Sequence, residues 1–317
     1  MNHSIIQYMR PLTLFMMIMQ LPSCTHRKDI AKETLHVRKK ETTIDINASS
    51  VHSAPPLTIW VHGTILFRKT THQNTFVGQP KLFLTANIPE KHHFYDIAQS
   101  MCKSDPTHFS LDSFYVFTWS GKLSEKERKK AANALYNELN ELVTTYEKQY
   151  GCKPVIRIIA HSHGGNVVLH MAKIAPQYPF IIESLILLAC PVQEKTMNLI
   201  NTPLFKHIYS LYSSIDLIQI IAPQIRRHHL ARCIGRHRYK MPGFSSRLFP
   251  SSRHIIQTKI KLNGYPITHT RFSKADFVEI LPTILDKLDA WDEYMQREQL
   301  SFKQKLLCIY NNKIDKL

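Results

Sequence analysis

The chain predicts an α/β protein built on a mostly parallel, doubly wound central sheet flanked by helices, and three observations carry that expectation. Apolar, β-branched runs alternate with segments of helical periodicity along most of the 317 residues, the pattern of parallel strands joined through crossover helices. The run 184–189 is apolar after its first residue, as befits a central strand covered on both faces. The β-branched run 155–159 is followed closely by Gly164, Gly165 and an apolar helical stretch from Val167. A sharp strand-to-helix turn therefore falls between them.

At the amino terminus Arg10 supplies positive charge, 12–19 an apolar core and Leu21-Pro22-Ser23-Cys24 a small residue before a cysteine, together the pattern of a secretion signal over 1–23. The apolar core is too short to span a bilayer, which takes about 20 residues. Residues 25–56 are polar and basic, with Lys28, Lys32, Arg38, Lys39 and Lys40, and close on Ala54-Pro55-Pro56; they read as a tether with one early strand at 42–46. The globular domain is expected over 57–300. Its first strand, 57–61, runs into His62-Gly63-Thr64. The stretch 65–93 is long for a connection and carries Phe67, Phe76, Val77, Leu82, Phe83 and Leu84, which suits either a lid or binding wall, or a satellite packing cluster with an extra hairpin.

A strand follows at 113–119, then a long helix from Ser124. Ser124 and Glu127 have capping-box spacing, and Leu135, Leu139, Leu142, Val143 and Tyr146 repeat at helical intervals until Gly151. Pro154 opens the next strand. Further strands are expected at 184–189, 207–212 and, last, 255–262. A terminal amphipathic helix at 274–296 presents Phe277, Ile280, Leu281, Ile284, Leu288 and Trp291, and a basic tail occupies 301–317.

An apolar fraction of 44% is ordinary for a globular protein, but 41 Lys and Arg against 24 Asp and Glu leave a formal charge of +17 before any of the 18 histidines protonates. That excess favours anionic partners. Nucleic acid is not expected among them: no recognised binding module appears, and export separates the chain from genomic DNA. Beyond Cys24, the cysteines Cys102, Cys152, Cys190, Cys233 and Cys308 form no C-x-x-C pair. His161 and His163 are two apart and His228 and His229 adjacent, so neither pair has the helical ligand spacing of H-E-x-x-H. No metal and no cofactor is expected.

The segment Ala160-His161-Ser162-His163-Gly164-Gly165-Asn166 makes Ser162 the candidate nucleophile, because the turn thrusts a hydroxyl from the carboxyl end of a strand above a helix amino terminus. Ala160 stands where the G-x-S-x-G pattern has its first glycine; only a small side chain is required there. Over roughly 57–296 the chain resembles the α/β-hydrolase superfamily, in particular lipases and esterases, many of which carry A-H-S-x-G-G at this turn. The resemblance implies an α/β-hydrolase fold and a chain order of serine, acid, histidine.

On that order Asp216, just after the strand 207–212, is the acid, and His269, between the last strand and the terminal helix, is the base. Asp216 also suits an N-cap for 217–221, with Glu194 the next candidate acid; His254 is the next candidate base. His161 and His163 are expected to pack or bond behind the turn. His62-Gly63-Thr64 resembles the H-G turn of lipases, which implies the main-chain N–H of Thr64 as one oxyanion donor, His163 providing the other. Leu21-Pro22-Ser23-Cys24 resembles a bacterial lipobox, which implies lipidation of Cys24 as the first mature residue and anchoring in a cell envelope. The implied activity is carboxylic-ester hydrolysis, with lipid acyl esters as the expected substrates and thioester hydrolysis or acyl transfer open to the same site. A non-catalytic hydrolase-like protein that binds membrane surfaces is the alternative. The insertion 225–254, rich in Arg and His without an acid, is expected near the catalytic rim, where Arg226, Arg227, Arg236 and Arg238 would meet an anionic lipid surface.

Overall fold

The structure, a computed structural model, describes residues 54–65, 78–175, 177–221, 224–227, 240–243, 245–297, 307–310 and 313–316. The secretion signal, Cys24 and the early strand expected at 42–46 lie outside these residues. Among the described residues, twelve strands and six α-helices follow in chain order: β1 Leu57–Val61, β2 Lys81–Leu84, α1 His93–Ser104, β3 Phe114–Thr118, α2 Glu125–Tyr150, β4 Ile156–His161, α3 His163–Met171, β5 Ile182–Leu188, β6 Phe205–Tyr212, α4 Leu217–Ile221, β7 Gln224–Arg227, β8 Lys240–Gly243, β9 Ile255–Leu262, β10 Tyr265–Pro266, α5 Ala275–Val278, α6 Leu281–Arg297, β11 Leu307–Tyr310 and β12 Lys313–Lys316.

Ten strands form one mixed sheet in the order β12-β11-β9-β6-β5-β4-β1-β3-β2, with β10 paired to β9. From β3 across to β11 the pairings are parallel. The edge strands β2 and β12 are antiparallel, and β7 pairs with β8 as a separate ribbon. Strand side chains alternate in direction, and the two faces fill different cores. Ile59, Val61, Ile158, Ala160, Leu185 and Leu187 meet Leu135, Leu139 and Val143 of α2 and Val167, Val168 and Met171 of α3. Trp60, Ile159, Ile186, Leu188, Leu211 and Ile260 meet Ile97 and Met101 of α1 and Phe277, Leu281, Ile284 and Leu288 of α5 and α6. Burying each of these large side chains stabilises the fold by about 1.5–3 kcal/mol.

Several local expectations are met and others are revised. The oxygen of Ser124 accepts the Glu127 N–H at 3.4 Å, but the Glu127 carboxylate accepts from the Ser120 hydroxyl at 3.1 Å instead of closing the box. Gly151 ends α2 in the left-handed region at φ 71°, with its N–H on the Glu147 carbonyl. The terminal helix is not continuous over 274–296. It breaks between Val278 and Leu281, where Pro282 lacks a donor and its ring would clash with the Val278 carbonyl of an unbroken helix.

Within 65–93, Lys81–Leu84 is a sheet edge beside β3 and Leu82 packs on the α2 core, so this part is packing and not a lid. Phe67, Phe76 and Val77 lie outside the described residues. Residues 255–262 are not the last strand, because β11 adds in parallel to β9 and β12 to β11, within what composition marks as a basic tail. Among the described residues, no helix is long and apolar enough to cross a membrane.

The topology also marks where a ligand would sit. From β1 the chain lays β3 on one side, then crosses back to lay β4 on the other. Strand order reverses between β1 and β4, and in open parallel sheets the crevice outside the carboxyl ends at such a reversal is the usual binding position. The carboxyl ends here are Val61 and His161.

Candidate active site

Ser162 occupies the turn out of β4 with φ 55° and ψ −131°, a backbone state that costs a non-glycine residue about 1–3 kcal/mol and persists only where surroundings over-determine it. They do so through the main chain. The Ser162 N–H donates to the Leu188 carbonyl at 2.8 Å, and its carbonyl accepts the Gly165 N–H at 3.0 Å. Close packing completes the restraint: a Cβ on Gly164 would lie 2.6 Å from the carbonyl oxygens of Val61 and His62, and one on Gly165 would lie 2.5 Å from Cys190 Sγ. The two glycines therefore let α3 start directly against the ends of β1 and β5.

Asp216 and His269 converge on this turn from distant segments. His269 Nδ1 lies 2.7 Å from Asp216 Oδ2, and its Nε2 lies 2.9 Å from Ser162 Oγ. A carboxylate only accepts, so Nδ1 carries the proton, Nε2 presents its lone pair, and the Ser162 hydroxyl donates to it. All three residues are buried. The N-cap alternative for Asp216 holds at the same time: Oδ1 accepts the Gln219 N–H at 3.0 Å while Oδ2 serves His269. Two further contacts hold the acid's turn, Arg247 donating to the Asp216 carbonyl at 3.0 Å and Gln219 Nε2 to the Cys190 carbonyl at 2.7 Å. Glu194 is exposed after β5, and His254 precedes β9, at the amino end of the strand whose far end leads to His269.

The turn after β1 abuts Ser162, since a Cβ on Gly63 would lie 2.7 Å from Ser162 Cβ. Thr64 is the next residue along this turn, and His163 opens α3 directly after Ser162. His62 fixes this turn with both ring nitrogens. Nδ1 donates to the Gly63 carbonyl at 2.7 Å, and Nε2 accepts the Trp119 N–H at 3.1 Å. Trp119 Nε1 in turn donates to the His62 carbonyl at 2.8 Å. Only a neutral imidazole can do both, and burial lowers the His62 pKa to about 4.

The two histidines flanking the serine part company. His163 is buried behind the turn, as expected, with Nδ1 3.4 Å from Asn166 Nδ2; burial first, then the nearby Arg128 charge, holds its pKa well below the ordinary value. Asn166 ties this turn to the segment after β5 through the Pro191 carbonyl at 3.0 Å and the Thr196 hydroxyl at 2.6 Å. His161 is not behind the turn. Its ring lies 5.0 Å from that of His269, and its Nε2 is 3.1 Å from the His269 carbonyl. Adjacency in sequence gave no sign of this, because the partner is 108 positions away. Gln219, Arg247, Trp119 and His161 are thus site-supporting residues that sequence reasoning missed.

The basic insertion divides. Arg226 and Arg227 lie in β7, whereas Arg236 and Arg238 fall outside the described residues. Arg247 belongs to the acid's turn and not to an outward-facing patch, and Ser246 bridges to Val192. Among the described residues, one group has its ligand atoms spaced for a metal ion: Asp105, His108 and Asp286. Asp105 and Asp286 act on Arg157 at the start of β4, the opposite end of that strand from Ser162.

No protein-family model matches this chain, and neither does any curated protein.

Proposed function

We propose that this protein is a serine hydrolase of the α/β-hydrolase type that cleaves carboxylic esters, with lipid acyl esters as the substrate class. The observation that carries the proposal is the unbroken hydrogen-bonded series Asp216–His269–Ser162 at 2.7 and 2.9 Å. It ends on a strained serine at the sheet's reversal point. The parallel order β9-β6-β5-β4-β1-β3, with the acid after β6 and the base after β9, supports the same assignment.

In the reaction so proposed, Ser162 Oγ attacks the acyl carbon while His269 Nε2 takes its proton, and Asp216 holds the ring and stabilises the imidazolium. The N–H groups of Thr64 and His163 receive the developing oxyanion. His269 then returns the proton to the leaving alcohol, and the acyl group stays on Ser162. Water attacks the acyl-enzyme with the same base, releasing the carboxylic acid and restoring the serine.

The resemblance of Leu21-Pro22-Ser23-Cys24 to a lipobox supports an exported protein anchored through lipidated Cys24. The charge of +17 supports work at an anionic membrane surface. Hydrolysis of p-nitrophenyl esters of increasing acyl length, with and without anionic vesicles, tests the substrate class. A long-chain preference that rises with vesicles is expected; no turnover of any ester would overturn the proposal. A short-chain preference indifferent to vesicles would leave an esterase and remove the lipid substrate.

A further inference from the structure

We infer that His161, the residue before the nucleophile, is a positioning residue for the base: its Nε2–H clamps the main-chain carbonyl of His269 and its ring separates the base from the turn after β1. This rests on the hydrolase assignment for its kinetic consequences and on geometry for the clamp itself.

His269 opens a short 3-10 turn, His269–Ser273, after the β9–β10 hairpin. Its side chain is held at Nδ1 by Asp216 and at Nε2 by Ser162, the atom it must release and retake in each cycle. When Nε2 lets go, the ring is left to the Asp216 bond and to whatever holds its own main chain. The main-chain contact at 3.1 Å from His161 Nε2 to the His269 carbonyl is independent of the reacting atoms, so it holds the base in register throughout.

The chemistry of the clamp sets the His161 tautomer. A carbonyl only accepts, so Nε2 bears the proton. The neutral ring then turns a bare Nδ1 toward the Gly63 turn, where a Cβ on Gly63 would lie 3.2 Å from it. Burial is the chief cause that holds the His161 pKa near 3, with His269 adding to it and His93 and His62 contributing less. A neutral ring suits the place. A second cation beside His269 would oppose the imidazolium that the reaction forms.

The test compares His161→Phe, which keeps the ring and removes the donor, with His161→Gln, whose side-chain amide can donate to the same carbonyl. His161→Phe should lower kcat by about 10- to 100-fold with KM within about 2-fold, the size expected when a reacting group is misplaced by about 1 Å. His161→Gln should recover most of the loss. In proton NMR the His269 Nδ1 proton, shared with Asp216, should be a sharp downfield resonance in wild type and His161→Gln, and broadened in His161→Phe with an unchanged Tm. Wild-type kcat and an unchanged resonance in His161→Phe would overturn the inference, as would a His161→Gln variant as impaired as His161→Phe. A wild type inactive on every ester would remove the hydrolase assignment, and the His269 resonance would still report on the clamp.

Discussion

The Ser162 turn and the His269 loop meet within one hydrogen bond of each other, yet they are held there by different means. Ser162 is fixed by its own main chain, bonded to Leu188 and Gly165, and by glycines that leave no room for the turn to relax. His269 is fixed by side chains borrowed from elsewhere: Asp216 after β6, Ser162 after β4 and His161 at the end of β4. The first arrangement is main-chain and steric, the second is made by polar side chains. The difference predicts that the two halves of the site fail differently: damage to the loop's contacts should remove activity and spare the fold, whereas damage to the turn's packing should cost stability.

The largest effect is expected from the polar half. Ser162→Ala should lower kcat by about 10⁴-fold or more with little change in Tm, and Asp216→Asn by about 10⁴-fold, because an amide favours the wrong tautomer of His269. Asparagine keeps an oxygen for the Gln219 N–H, so circular dichroism and Tm should stay near wild type. Gly164→Ala probes the other half. Its Cβ would fall 2.6 Å from two main-chain carbonyl oxygens, and such overpacking costs about 1–3 kcal/mol, to be read as a lower urea midpoint with an unchanged slope.

Effects on stability alone follow from pH. His62 folds with its pKa lowered to about 4, so between there and about 6.5 the unfolded chain binds more protons. Its contribution is full above about pH 6.5 and is lost as pH falls through 4, a span of about 3 kcal/mol. Tm should decline over that interval in wild type, and the slope should flatten in His62→Gln. His207, on β6, has the opposite sign. Its bond to Asp292, 2.5 Å from Nδ1, raises its pKa, so its stabilisation is present in mild acid and lost as pH rises through that raised value. His207→Gln should remove this smaller alkaline loss and leave the acid limb intact.

Legibility in the sequence follows the same division. The turn at Ser162 is readable because its signals lie within a few residues: a β-branched run, two glycines and an apolar helix. Helix α2 is readable from its cap, its periodicity and Gly151. The break near Pro282 has a local signal that the continuous apolar periodicity around it outweighed. Helix α1 carries no such signal, because Phe94, Ile97 and Met101 gain their meaning only from the core they meet, and β2 is legible only as one of two readings of 65–93, between which Leu82's packing decides. His161 was misplaced for the same reason. Its partner is the main chain of a residue 108 positions away, and no spacing rule reports such a contact. Asp216 shows that two competing local assignments need not exclude each other when a carboxylate has two oxygens to offer.

The central claim is that Ser162 is a nucleophile activated by His269 and Asp216. Treating the purified protein with a fluorophosphonate and locating the adduct by peptide mass spectrometry tests it most directly. Phosphonylation is expected on the peptide bearing Ser162, abolished in Ser162→Ala and strongly slowed in Asp216→Asn. Folded wild-type protein that takes up no label, or labelling that persists in Ser162→Ala, would contradict it.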